Sequence, residues 1–206
     1  FPYAVIHKKD SATPEGIDLK DLYKYTSAYS KTFLDFRKKN KGVKELVENT
    51  TYADIFYPNE YLKKGIELVD TPGVDDPDKQ RSQVTEEFIA KADAVVFMID
   101  VVEGGLKNSE LEFLRSRIYN RKHAKGVIVV CNKIHALRQS QRSQIDELIR
   151  ITRDTLFKEL NHEVPVLPID AKLAWEGFVS GDKSKITDSK FESFLNSLEA
   201  YLINSK

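Results

Sequence analysis

Asp70-Thr71-Pro72-Gly73 follows the apolar run Ile66-Glu67-Leu68-Val69, and Asn132-Lys133 follows a second run, Gly126-Val127-Ile128-Val129-Val130-Cys131. The first motif suits phosphate and metal chemistry. A carboxylate at a strand end, Asp70, can hold a magnesium ion directly or through water, because a hard cation shared with phosphates takes oxygen ligands and keeps several waters. Gly73 can bring a bare backbone N–H close to a terminal phosphate, and it lets the loop change course when that phosphate leaves. An ordinary strand-to-loop turn, in which Pro72 and Gly73 serve geometry alone, explains the same residues without chemistry. The second motif suits a flat ring: the Asn132 amide can tie neighbouring loops together while the Lys133 stem lies over a base. Together the two read as half of a guanine-nucleotide site, with Asp70, Thr71 and Gly73 on the phosphate side and Asn132 and Lys133 on the base side.

Each half departs from a complete site. No G-x-x-x-x-G-K-[ST] phosphate loop occurs in the 206 residues. In a full Asn-Lys-x-Asp motif a carboxylate accepts from the guanine amino and imino groups, but the fourth residue here is His135. A neutral imidazole has one acceptor nitrogen and cannot make that paired, charge-assisted contact. Guanine selectivity is then weakened or supplied by another group, or His135 is only a surface residue at a helix start. Asp170-Ala171-Lys172 resembles the Ser-Ala-Lys loop that touches the guanine edge, with Asp170 in place of Ser.

Other candidates have plainer explanations. Gly177-Phe-Val-Ser-Gly181-Asp-Lys-Ser184 has the wrong glycine spacing for a phosphate loop, an extra Asp before the Lys, and no buried strand before it. The four histidines show no metal-ligand spacing, and Cys131 has no partner cysteine, which leaves it a core role. Asp100 ends a strand, where capping the next turn accounts for it.

The elements that must position these residues follow from hydrophobic period. Tyr3 to His7 reads as a short strand, Asp10 to Gly16 as a turn-rich stretch, Asp18 to Lys39 as a helix with Leu19, Leu22, Tyr23, Tyr29, Phe33 and Phe36 on its apolar face, and Thr51 to Tyr57 as a strand. After a turn at Asn59 to Leu62 and a strand at Ile66 to Asp70 the pattern becomes regular. Helices at Ser82–Lys91, Ser109–Tyr119 and Ser143–Leu160 precede strands at Ala94–Ile99, Val127–Cys131 and Val164–Ile169. A short helix near Leu173 and a final one at Lys190–Asn204 close the chain, with a solvated loop expected over Gly181–Ser189. Strands that are apolar throughout, separated by amphipathic helices, predict an α/β fold whose mostly parallel sheet is covered on both faces.

Composition narrows the partners. Lys plus Arg equals Asp plus Glu at 32 each, which offers no excess charge for nucleic acid or anionic lipid, and the 41% apolar content is enough for a core. A lone cysteine and the lack of a signal-peptide layout point to the cytoplasm, with any membrane contact made by regions outside this chain.

The stretch Tyr57-Pro-Asn-Glu-Tyr-Leu-Lys-Lys-Gly-Ile-Glu-Leu-Val-Asp-Thr-Pro-Gly-Val74 closely resembles the dynamin-like GTPases, in particular their bacterial-type members. Glu87 to Asp100, Ser109 to Leu114, Cys-Asn-Lys-Ile and the Asp-Ala-Lys loop continue the resemblance, which covers nearly all of the chain from about Thr51. The long stretch before Asp70 favours a large GTPase over the small Ras type, and an unrelated GTPase of the ribosome-assembly type is a third reading. The resemblance implies a P-loop NTPase-like, Ras-like fold. On that basis residues 1–206 form part of a dynamin-type G domain whose first strand and phosphate loop are absent from this chain. It implies binding of GTP and GDP with magnesium, GTP hydrolysis, self-association across the nucleotide face, and membrane remodelling by the longer protein. Asp70 would assist magnesium through water, Gly73 would meet the terminal phosphate, Asn132 and Lys133 would hold the base, and Asp170, Ala171 and Lys172 would line its far edge. No catalytic residue is assigned within this chain. Phosphoryl transfer depends on positioning around the phosphates, so the chain by itself is expected to be a poor GTPase or none. A pseudo-GTPase that docks other proteins without hydrolysis is the alternative.

In the Ras-like arrangement the strand leading into the phosphate loop lies between the Ile66 and Ala94 strands. Its absence is expected to leave two internal edges with unpaired backbone groups, at about 1–3 kcal/mol for each buried group. Several such groups rival a domain's net stability of about 5–15 kcal/mol, so the chain is expected to be an excised portion of a longer protein.

Overall fold

Val127–Asn132 carries six residues without a charge, and in the computed structural model the first five are buried, as a central strand requires. Residues 1–26, 41–71, 73, 85, 87–119, 126–137 and 144–204 are described. They fall into two compact units, Phe1–Val69 and Asp70–Lys206.

The first unit holds an antiparallel sheet of β1 (Tyr3–Lys8), β2 (Ser11–Asp18) and β3 (Thr50–Phe56) in the order β2-β1-β3. Ala4 and Ile6 on central β1 are fully buried, and Tyr25 of α1 (Tyr23–Thr26) is nearly so. Side chains on β1 and β3 also pair directly: Tyr3 stacks on Phe56 at 4.6 Å, and His7 stacks on Tyr52 at 4.1 Å while meeting Asp54 at 2.9 Å. Cross-strand pairs of this kind fix the register. The stretch read as a turn from Asp10 to Gly16 is mostly strand. Nearly all of β2 is exposed, so it shows no buried alternation, and an edge position tolerates Pro14 without a ladder donor. The β1–β2 register shifts between Ile6 and Lys8, opposite that segment.

Of the helix expected from Asp18 to Lys39, the described part is a 3-10 turn at Leu19–Asp21 and α1; Asp18 caps the turn by accepting from Lys20 N–H at 3.0 Å. Tyr29, Phe33 and Phe36 lie outside the described residues. Helix α2 (Lys41–Asn49), which the periodicity did not suggest, leads into β3, and α3 (Glu60–Lys63) occupies the expected turn. Ile66 to Asp70 is not a strand. These residues have no regular secondary structure and belong to neither sheet, with Leu68 and Val69 exposed. An apolar run becomes a strand only when a neighbour takes its N–H and C=O groups. The neighbour the resemblance assigns to it leads into a phosphate loop, and no such loop sequence occurs in the chain.

The second unit is the α/β part. Its sheet runs β4 (Val95–Asp100), β5 (Val127–Asn132), β6 (Val166–Pro168), all parallel. β5 alternates between two cores. Val127, Val129 and Cys131 enter one with Leu114, Ile118, Ile149 and Leu156, on α4 (Asn108–Phe113), its π-helical continuation Leu114–Tyr119, and α5 (Ile145–Leu160). Ile128 and Val130 enter the other with Ile169 and Phe194, the latter from α8 (Phe191–Asn204). Each fully buried branched side chain contributes about 1.5–3 kcal/mol, and the two-sided burial bears out a sheet covered by helices on both faces. The expected helix at Ser82–Lys91 is seen only in part: residues 85 and 87–89 are helical, and 82–84 and 86 lie outside the described residues.

The segment expected as a solvated loop after Gly181 contains helix α7 (Lys183–Asp188). Asp182 Oδ1 caps it by accepting from Ser184 N–H at 3.0 Å and Lys185 N–H at 3.3 Å. Ile186 packs so closely on α6 (Ala171–Ser180) that a Cβ on Gly177 would lie 2.8 Å from its Cγ1. The many lysines and aspartates around this one apolar anchor hid the helix. Gly181 closes α6 in the left-handed region, at φ 71°, and donates its N–H to Gly177 O.

Candidate functional site

Three parallel strands end on one edge, which brings Asp100, Asn132 and the segment after Pro168 together; Asp100 is directly opposite Asn132, and Cys131 opposite Pro168. In open parallel sheets ligands bind beyond such strand ends. The chain crosses between the last two ends by main-chain bonds: Ile169 N–H donates to Cys131 O at 2.9 Å and Ile134 N–H to Ile169 O at 3.3 Å.

Asn132 works as the tie between loops. Its Oδ1 accepts from Lys133 N–H at 2.8 Å and from Ala171 N–H at 3.0 Å, joining the end of β5 to the first residue of α6. Lys133 sits at φ 68°, in the left-handed region that costs a non-glycine residue about 1–2 kcal/mol. That turn sends its side chain over the β4 end, where Nζ meets Asp100 Oδ2. Asp100 also caps the 3-10 turn Val101–Glu103, accepting from Val102 N–H at 2.9 Å. Partial burial pushes the Asp100 carboxyl up, but the Lys133 and Val102 donors outweigh it and hold the group below its ordinary range. The same Asp100 bond raises the Lys133 ammonium. The capping role read for Asp100 is present, and the lysine partnership is additional; the signal for it was that both residues end neighbouring parallel strands.

Asp170 is 6% exposed and faces inward. Its Oδ1 caps α6 by accepting from Leu173 N–H at 2.8 Å, its Oδ2 accepts from His135 N–H at 3.1 Å, and its own N–H donates to the carbonyl of fully buried Ser189 at 2.9 Å. His135 Nδ1 lies 3.9 Å from the same Oδ2. Ala171 takes part through its backbone N–H, and Lys172 projects into solvent 4.0 Å from Glu176.

Of the phosphate-side residues, Asp70 and Gly73 are exposed and Thr71 is half-buried, all without regular secondary structure; Pro72 lies outside the described residues. Among the described residues no group of three or more His, Cys, Asp or Glu side chains is placed to hold a metal. The exposed Asp70 carboxylate fits magnesium only in the way this ion is commonly held, by one carboxylate with waters and phosphates.

Residues 4–134 match the Dynamin family. The chain is 28% identical over 203 residues to Dynamin-like protein 1 of Campylobacter jejuni, covering 95% of this chain and 25% of that protein. It is 31% identical over 152 residues to the probable transmembrane GTPase FZO-like, chloroplastic, of Arabidopsis thaliana, covering 68% of this chain and 16% of the relative. The chain thus spans a quarter or less of the length of these two relatives. A solved structure of an oligomerised bacterial dynamin pair superposes with a TM-score of 0.66 at 22% identity, over 98% of this chain and 37% of that one, which is a likeness of fold. With the matched region running from β1 through the Asn132-Lys133 loop, the chain belongs to the dynamin family.

Proposed function

We propose that this chain is the base-holding part of a guanine-nucleotide site in the G domain of a longer, dynamin-like GTPase that remodels membranes. The observation that carries the reading is the Asn132 carboxamide bridging Lys133 N–H and Ala171 N–H at the ends of parallel strands, inside a region that matches the Dynamin family. That bridge holds two loops at a fixed spacing, as a slot for a flat base requires. Lys133, with about half of its side chain exposed, supplies the apolar stem for one wall of the slot. Ala171 and Lys172 form the rim on the α6 side, and Asp170 holds that rim from beneath.

On the phosphate side Asp70 would hold magnesium through water, with Thr71 and Gly73 offering backbone to the phosphates. When bound, the ion neutralises phosphate charge. The hydrolytic step is assigned to the longer protein, because no phosphate-loop sequence lies within these 206 residues. Self-association across the nucleotide face and a cytoplasmic site of action at a membrane surface belong to the same reading. No helix among the described residues is long and apolar enough to cross a membrane.

A docking module without hydrolysis is the second reading, favoured by the inward-turned Asp170 carboxylate and by His135 where the family pattern has a carboxylate. Calorimetric titration of the full-length protein with GTP and with ATP, both with magnesium, separates the two. The GTPase reading expects GTP to bind more tightly than ATP and to be hydrolysed. A folded protein that binds neither nucleotide overturns it in favour of the docking module.

A further inference from the structure

We infer that the outward face of α6, carrying Trp175, Phe178 and Val179, seats an apolar-faced helix supplied by the same polypeptide from outside residues 1–206; this rests on the reading of the chain as part of a longer protein. The three residues are 65%, 54% and 70% exposed. Their spacing of three and four positions puts them in one stripe along the helix. The opposite face is built from small residues. Ala174 is 2% exposed, and Gly177 is buried so closely on α7 that a Cβ would lie 2.8 Å from Ile186 Cγ1. A helix whose outer face stays in water turns its large apolar side chains inward and its polar ones outward. In α6 the large ones point out.

The neighbouring elements do not cover the stripe. Phe178 meets Phe191, the first residue of α8, edge-on with ring centroids 6.0 Å apart, yet more than half of Phe178 stays exposed. Charges border it: Glu176 lies 4.0 Å from Lys172 and 3.4 Å from Lys185. An apolar patch with a polar border marks a contact surface.

Size and spacing select the occupant. Trp175, Phe178 and Val179 together expose roughly 300–400 Å² of apolar surface. A stable complex between separate proteins, two copies of this chain included, buries about 800 Å² on each side. The stripe supplies at most half of that. A segment joined to the same polypeptide needs less, because linkage gives it an effective concentration on the order of millimolar. This chain spans a quarter or less of the two relatives described above, so a longer polypeptide of that kind has the length to supply one. A stripe at three- and four-residue spacing fits a second helix, whose apolar ridge seats between its side chains at about 8–10 Å between axes.

Hydroxyl-radical labelling of the full-length protein, read by mass spectrometry in native buffer and in urea, tests the assignment. Trp175 and Phe178 should label at least about tenfold more slowly in native buffer. That protection should hold over about a hundredfold range of protein concentration, since a tethered contact does not follow mass action. Trp175→Glu combined with Val179→Glu keeps good helix formers in α6 and should raise native Phe178 labelling about fivefold or more, with circular dichroism unchanged. Native labelling of both residues within about threefold of the urea value means that water covers the stripe, and overturns the inference. Protection that appears only as concentration rises assigns the face to a second copy and overturns it too. So does a folded double variant in which Phe178 stays fully protected. A natural polypeptide that adds no residues to these 206 removes the longer-protein reading itself, and this inference with it.

Discussion

Lys133 Nζ reaches across the end of one parallel strand to Asp100 Oδ2 at the end of the next, so two residues from different motifs share one proton-dependent bond. Its pH window follows from the directions of the two shifts. Asp100 is held below its ordinary value of 3.8, so its contribution is present above that value and is lost as pH falls through the lower folded one. Lys133 is raised above 10.5, so its contribution is present below 10.5 and is lost as pH rises through the higher folded value. Both groups are partly exposed, which limits the pair to about 0.2–1 kcal/mol. Lys133→Met should lower unfolding free energy by that amount at pH 7 and by less at pH 2, below the ordinary carboxylate value. An equal loss at both pH values would show that the bond does not contribute.

Asn132→Ala should cost more than a surface change. It leaves the Lys133 and Ala171 N–H groups without their shared acceptor, at about 1–3 kcal/mol. Asn132→Asp retains an acceptor oxygen and should recover most of the stability. Denaturant midpoints of the three proteins give the comparison, and an alanine variant as stable as the parent would remove the tie from the account.

Cys131 is fully buried, and burial pushes its thiol up to about 11 despite a Thr152 contact that opposes the shift. The folded value is the raised one, so the stabilisation is full below the ordinary 9.0 and is lost as pH rises through about 11. The loss should reach roughly 2–3 kcal/mol. At pH 8 about one thiol in a thousand is ionised, and iodoacetamide should label the native protein only as fast as it opens. Mass spectrometry across a denaturant series checks this, with rapid labelling in native buffer as the contrary result.

Gly126 precedes β5 where the Tyr201 ring of α8 occupies the space a Cβ would need. Gly126→Ala should destabilise by about 1–3 kcal/mol through overpacking. Tyr201→Ala removes the obstruction, so the same glycine change made in that background should cost far less. Equal costs in the two backgrounds, measured by urea unfolding, would place the glycine's role elsewhere.

Elements set by their own residues were legible in the sequence: the uncharged run of β5, the 16-residue amphipathic α5, and Asn132-Lys133 at a strand end. Periodicity and strand-end position are local properties. Three other assignments depended on neighbours. Ser11–Asp18 is a strand because β1 lies beside it, Lys183–Asp188 is a helix because Asp182 caps it and Ile186 seats on Gly177, and Ile66–Asp70 is apolar yet unpaired for want of a ladder partner. The site divides the same way. Sequence by itself determined which residues end the strands and that His135 and Asp170 depart from the family pattern. Only the tertiary structure decided that Asp170 turns inward to hold His135 and that Asp100 takes Lys133, because side chains 35 and 33 positions apart meet only once parallel pairing brings the strand ends to one edge.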